Sequence, residues 1–350
     1  MIQTTARTLT YVDALNEAVA QEMDLDENVF VIGLNVDDHK GIQGTTQGLF
    51  EKFGPDRVMD TPLSEDAVTG ICIGAAMAGM RPIHVHIRMD FLLLCMNQLI
   101  NMAAKAHYMY GGQTTVPLVV RSIIGKSWGQ GAQHSQGLHS MFMHVPGLKV
   151  VAPTNAYDAK GLLIAAIRDN NPVIFVEHRL LYSTDAPVPE APYTVEFGKA
   201  RVVCKGTDIT LVGISYMLVE CLAAQRLLAD VGISAEVIDP VTLWPLDVDT
   251  ITDSSARTRN LLVVDNAWTV AGAGAEIIAA VCERGNPPTV GRMGYAETTC
   301  PTTPALEKDF YPNATTIAAR AFAMVRPGEP AWTPDAEPTL PHEAAFKGPF

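Results

Sequence analysis

Positive charge is scarce in this chain. Its 350 residues carry 25 Lys+Arg against 38 Asp+Glu, a formal net charge of −13, and the basic residues form no cluster. Nucleic acid is excluded as a partner, because phosphate binding needs grouped Lys and Arg. Charge of either sign is low, 18% of residues against 48% hydrophobic, where soluble domains carry roughly 25%. That balance excludes disorder for most of the chain and points to an oligomer that hides apolar surface. No C-x-x-C pair joins the six cysteines, and five have apolar neighbours. Reduced core thiols in a cytoplasmic protein are expected, not a disulfide or zinc framework. The longest apolar run, 68–80, ends at Arg81-Pro82, short of the ~20 residues of a membrane span. The first ten residues lack the apolar stretch of a secretory signal. There is no Walker A sequence, and Gly272-Ala273-Gly274 has Ile277 where a dinucleotide fingerprint needs its third glycine.

What is present is alternation. β-branched runs at 29–33, 83–87, 116–121, 149–152 and 173–177 alternate with helical patterns at 11–21, 67–79, 91–108 and 156–167. Such alternation predicts βαβ units and a parallel sheet covered on both faces. Residues 183–192 carry Pro187, Pro189 and Pro192 with two acids, a linker composition. Alternation restarts with strands at 209–214, 235–238, 261–264 and near Thr289, and helices at 217–228, 273–282 and 313–325. The fold class is α/β, two doubly wound parallel-sheet domains at 1–182 and 198–326. Residues 183–197 form the linker, and the Pro-rich 327–350 form an extended tail.

Three features carry chemistry-bearing side chains. In Thr61-Pro62-Leu63-Ser64-Glu65, Ser64 suits a helix cap and Glu65 the first turn, where the dipole favours an acid. Capping alone explains both residues. Yet the helix that follows is small and apolar, a setting that suits a glutamate moving protons. The loop 125–136 follows a strand, at the carboxyl edge of a parallel sheet, where ligands bind. Its His134 is an acid/base candidate or a surface histidine, while His139 and His144 fit no metal-ligand spacing. After Asp90-Phe91, the face of Leu92, Leu93, Cys95, Met96, Leu99 and Met102 fits either a buried helix or an oligomer interface.

In order and spacing these blocks resemble the β subunit of the thiamine-diphosphate-dependent decarboxylating component of 2-oxo acid dehydrogenase complexes, of the transketolase superfamily. The blocks are 61–65, 74–79, Arg81-Pro82, Asp90-Phe91, Asn97-Gln98, Gln133-His134-Ser135-Gln136, 146–150, 158–161 and 166–172. Gly198-Lys199-Ala200 and Trp244-Pro245 fit as well, so the likeness spans about 9–325. It implies a pyrimidine-binding domain followed by a transketolase C-terminal-like domain. By the resemblance, Glu65 hydrogen-bonds N1′ of the cofactor's aminopyrimidine and so favours the imino tautomer that removes the thiazolium proton. Phe91 packs on that ring with Met89 beside it, and His134 orients or protonates the substrate and its acyl acceptor. The carbonyls of Leu118, Ala166, Ile167, Asp169 and Asn171 match a structural potassium site.

The family's Gly-Asp-Gly motif for diphosphate and Mg2+ is absent. The resemblance therefore implies an α subunit that supplies it, in an α2β2 assembly, with a lipoyl acyltransferase core as a further partner. There are departures. Leu34-Asn35 follow Gly33 in place of acids, and Val85 stands where glutamate is usual, flanked by His84 and His86. Arg88, Lys126 and Trp128 are also unusual, and Arg88, Lys126 and Gln133 are candidates to hold an anionic substrate other than pyruvate. The expected activity is decarboxylation of a 2-oxo acid with acyl transfer to lipoamide. An acyloin-cleaving dehydrogenase and a two-chain transketolase-like carboligase are the enzyme alternatives; a non-catalytic scaffold subunit is the alternative of another class.

Overall fold

The structure, a computed structural model, describes residues 7–38, 40–126, 129–335, 338 and 340; Trp128 and the tail beyond 340 lie outside them. The described residues group into two units. The first, 7–124 with 141–197, contains β1 (Arg7–Thr10), β2 (Val29–Gly33), β3 (Val58–Asp60), β4 (Arg81–His86), β5 (Val119–Ile124), β6 (Lys149–Val151), β7 (Val173–His178) and β8 (Asp185–Val188). Helices in this half of the chain are α1 (Tyr11–Leu25), α2 (Leu49–Phe53), α3 (Glu65–Met77), α4 (Ala104–Met109), α5 (His139–Met143) and α6 (Ala156–Arg168).

Six strands run parallel in the order β6-β7-β5-β4-β2-β3. Every residue of β2, β5 and β7 is buried, as in strands covered on both faces. β5 starts at Val119, later than expected, because Pro117 has no N–H to give the ladder. From β2 the chain builds outward to β3, then crosses back to β4, so the order reverses between β2 and β4.

Two expectations change here. The proline-rich 183–192 stretch is not bare linker: its β8 pairs antiparallel with β1. Proline is tolerated there because β1 is the strand's one partner among the described residues. The fully buried Lys160 ammonium holds the following turn, donating to the Pro189 and Glu190 carbonyls (2.8 and 3.0 Å) and to Glu17 (2.5 Å). The single helix expected at 91–108 is instead a 3₁₀ stretch Met89–Cys95, a π-helical stretch Asn97–Ala103 and then α4. Winding tightly and then loosely, it buries Leu92, Cys95, Leu99 and Ala103 while Leu94 stays 57% exposed.

The second unit contains 125–140 and the chain from 198 onward. Its strands are β9 (Arg201–Cys204), β10 (Ile209–Gly213), β11 (Ala235–Asp239), β12 (Thr242–Trp244), β13 (Asn260–Trp268) and β14 (Thr289–Tyr295). Its helices are α7 (Met217–Asp230), α8 (Val248–Thr258), α9 (Ala273–Glu283), α10 (Pro304–Phe310) and α11 (Ala314–Val325). The sheet order is β14-β13-β10-β11-β9, parallel except for β9 at the edge, and it reverses between β10 and β13. α8 was not expected from its Thr- and Ser-rich sequence; Asp247 caps it, accepting from the Thr250 amide at 3.1 Å. No described helix is long and apolar enough to cross a membrane. All six cysteines are free, four of them buried.

Candidate active site

A doubly wound sheet binds ligands outside the carboxyl ends of its strands, where the strand order reverses. In the first unit, that edge carries Glu65 on the turn after β3 and Arg88, Met89 and Phe91 just after β4. Glu65 opens α3 with Asp66 beside it in the first turn, and Ser64 occupies the cap position without a side-chain hydrogen bond. The amide of Val68 closes the turn on the Ser64 carbonyl at 2.9 Å. α3, which Glu65 opens, packs against the 3₁₀ stretch Met89–Cys95 that carries Phe91. Glu65 and Phe91 are half-buried, while Met89 is fully buried. The Glu65 carboxyl group takes part in no hydrogen bond or ion pair among the described residues. Its electrostatic neighbours are His86 and Cys95.

Those neighbours belong to a buried cluster whose importance the sequence did not reveal. The Thr69 hydroxyl donates to the Glu65 carbonyl at 2.8 Å and meets His84 Nε2 at 3.3 Å. His84 Nδ1 lies 3.3 Å from the Ile32 carbonyl. A neutral ring carries one N–H, so it serves one of these contacts at a time. Burial, and then the neighbouring His86, push the His84 pKa down to about 4, so the ring is neutral near pH 7. His86 is lowered too, chiefly by burial. Its Nδ1 donates to the Arg88 carbonyl at 3.1 Å, which leaves Nε2 as an acceptor facing the Cys95 thiol at 3.8 Å. Burial lifts that thiol to about 11, so it stays protonated and donates. Neutral groups thus surround one side of Glu65. The only signal in the sequence was the alternation His84-Val85-His86, which puts both rings on one face of β4.

Arg88 is half-buried, its Nη1 3.0 Å from the Ile87 carbonyl. Burial pulls its guanidinium below the ordinary range, opposed by Tyr182 and Asp90. The other candidates lie in the second unit. Lys126 holds its ammonium over the rings of Tyr216 (5.7 Å) and Tyr311 (5.9 Å), a cation–π setting. Gln133 ends a one-turn 3₁₀ segment, Gly131–Gln133, and is exposed; His134 follows it, half-buried, its amide bonded to the Gly131 carbonyl at 3.4 Å.

The five carbonyls expected to hold potassium line the end of α6 and the start of β5. The Ile167 and Asp169 carbonyls accept from Arg81 Nη1 at 3.0 and 3.1 Å. The Leu118 and Ala166 carbonyls accept from the Val173 and Asp169 amides at 2.9 and 3.2 Å. A guanidinium already brings positive charge to two of the five oxygens.

The sequence matches the family "Transketolase, pyrimidine binding domain" over residues 7–184 and "Transketolase, C-terminal domain" over 198–317. Fold and family matches together define a transketolase-type α/β chain. A solved structure described as "Split gene transketolase, inactive beta4 tetramer" shares the fold, with a TM-score of 0.74 at 19% identity over 91% of this chain and 98% of that one. The "Acetoin:2,6-dichlorophenolindophenol oxidoreductase subunit beta" of Cupriavidus necator is 42% identical over 337 residues, 93% of this chain and 99% of its own length. The "Pyruvate dehydrogenase E1 component subunit beta" of Rickettsia felis is 44% identical over 273 residues, 78% of this chain and 84% of its own. This chain belongs to that family of thiamine-diphosphate-dependent dehydrogenase β subunits.

Proposed function

We propose that this chain is the β subunit of an enzyme that decarboxylates a 2-oxo acid and passes the acyl group to lipoamide. The observation that carries the reading is the Glu65 carboxyl group, half-buried and without a hydrogen-bond partner among the described residues. An acceptor with neutral groups along one side and no donor of its own among the described residues fits the N1′ side of an aminopyrimidine. Thiamine diphosphate, when bound, supplies the electron sink for breaking a carbon–carbon bond beside a carbonyl.

Each candidate side chain is assigned a separate task. Glu65 holds and returns the proton at N1′. Phe91 would hold the ring by packing on it, with the buried Met89 behind. His134 moves a proton on the substrate or acceptor, while Arg88, Lys126 and Gln133 bind the substrate's anionic and polar groups. Mg2+ and the diphosphate belong to an α subunit, since no Gly-Asp-Gly occurs here. Exposed apolar side chains beside the site, Leu63 (74%) and Ile71 (60%), suit that partner. No step is assigned to potassium, because Arg81 already serves the Ile167 and Asp169 carbonyls. A lipoyl acyltransferase core would receive the acyl group.

One observation favours acyloin cleavage as a second reading. The Cupriavidus necator and Bacillus subtilis acetoin relatives match over 93% of this chain and 99% of their own length. The Rickettsia felis pyruvate relative matches over 78% and 84%. Both reactions break a carbon–carbon bond next to a carbonyl, so one site serves either. The test is reconstitution with an α subunit that carries Gly-Asp-Gly, assayed for lipoamide reduction with 2-oxo acids and with acyloins. Turnover is expected from the pair and not from this chain alone. Turnover by the lone chain, or none from the pair with either class, would contradict the proposal.

A further inference from the structure

The second unit has its own reversal of strand order, between β10 and β13, the usual place for a ligand. Here the chain itself lies on that edge. Asp265 directly follows Val264, the last β13 residue in register with β10. Its Oδ1 lies 2.9 Å from His139 Nε2, with the two side chains 4% and 0% exposed. Asn266, next in line, spans the reversal by donating from Nδ2 to the Ile214 carbonyl of the β10 end at 2.8 Å. Gly137 rests on that same residue so closely that a Cβ would fall 1.7 Å from the Asn266 carbonyl oxygen. On the other flank, Gly129 and Gly131, both with positive φ, rest on Thr302, where added Cβ atoms would come within 2.9 and 2.5 Å. His134 sits between these seats.

We infer that the His139–Asp265 pair is a positioning device, which locks the loop 129–138 onto β13 just past its pairing with β10 and so sets where His134 and Gln133 are presented. The inference rests on the role of His134 proposed above. The bond needs a proton on Nε2, and Nδ1 is the ring's other polar atom. That atom and Asp265 Oδ2 are buried without hydrogen-bond partners among the described residues. Such groups cost stability, and apolar residues of similar volume would hold a loop at least as firmly. What the pair adds is direction: one donor and one acceptor fix the depth and rotation of the chain five residues beyond His134. The glycines then let the loop follow the surface without a side chain in the way.

The test uses the chain and its reconstituted complex. In His139→Ala, amide hydrogen exchange of the chain should speed up over 129–138 while the strands stay protected. Turnover of the complex should fall roughly 100-fold, as a displaced group does. In a His134→Ala background, His139→Ala should add only the smaller loss from a displaced Gln133, since the two changes share the contribution of His134. Asp265→Asn keeps the acceptor and should retain loop protection and most turnover, whereas Asp265→Ala should match His139→Ala. Unchanged exchange over 129–138, or losses that multiply in the double variant, would overturn the inference. Should His139→Ala fail to fold, the Asp265→Asn and Asp265→Ala pair decides alone: equal exchange in the two would overturn it. Full activity of His134→Ala would refute the reading of His134 itself; it is told apart because the exchange measurement needs no turnover.

Discussion

The rings of His84 and His86 meet edge to face, their centroids 5.5 Å apart, on the buried strand β4. Two imidazoles this close and this dry stay neutral, and that gives stability a pH dependence. The folded pKa of His84, about 4, is below the ordinary 6.5, and His86 is lowered as well. Above pH 6.5 neither state binds the proton and nothing changes. Below it the unfolded chain takes up protons that the native one refuses, so stability falls towards pH 4, by up to about 3 kcal/mol from His84. Chemical denaturation at pH 7 and pH 4.5 checks this. His84→Asn should flatten the difference; a wild-type curve indifferent to that change of pH would count against the cluster.

Arg121 and Glu177 make a two-pronged pair between β5 and β7, at 2.6 and 3.0 Å, each side chain 1% exposed, and Tyr182 donates to the same carboxylate at 2.7 Å. Removing one partner strands the other charge. Glu177→Ala should cost about 3–5 kcal/mol, while replacing both by apolar residues of similar volume should cost far less. Denaturant midpoints of the single and double variants decide it.

Gly137→Ala places a methyl group against the Asn266 carbonyl, a rigid backbone atom. The loop must shift, and melting temperature should drop with a loss of about 1–3 kcal/mol. Gly285, with open space around it, is the control position, although its positive φ makes alanine mildly unfavourable there too. A Gly137→Ala protein as stable as wild type would mean that the loop is not seated as described.

Arg88→Ala should raise KM for an anionic substrate more than it lowers kcat. Losing a charge-assisted hydrogen bond costs about 1.5–3 kcal/mol, roughly 10- to 150-fold in binding. Steady-state kinetics across several 2-oxo acids, with an uncharged acyloin for contrast, give the readout. An equal effect on both substrate classes would remove Arg88 from substrate recognition.

The alternation of buried runs made the two parallel sheets legible in the sequence, and the turn before the apolar α3 marked Glu65. Tertiary partners hid the rest. His84 and His86 read as departures from a family pattern, because nothing local shows that Thr69 and Cys95 close over them. Local spacing around His139 offers no metal-ligand pattern, and its partner Asp265 lies 126 residues further on. β8 was masked by prolines that an edge pairing with β1 tolerates. α8 lacks strong helix formers, and its one local sign was the capping Asp247.

The central claim is that Glu65 serves the cofactor's aminopyrimidine. It is tested by hydrogen–deuterium exchange at the thiazolium C2 of thiamine diphosphate, read by NMR after acid quench, in the complex of this chain with its α subunit. Glu65→Gln keeps the shape and removes the ionisable group, so subunits should still assemble while exchange falls by 10²-fold or more, roughly the contribution of one proton-transfer group. Exchange at the wild-type rate in an assembled Glu65→Gln complex would contradict the account.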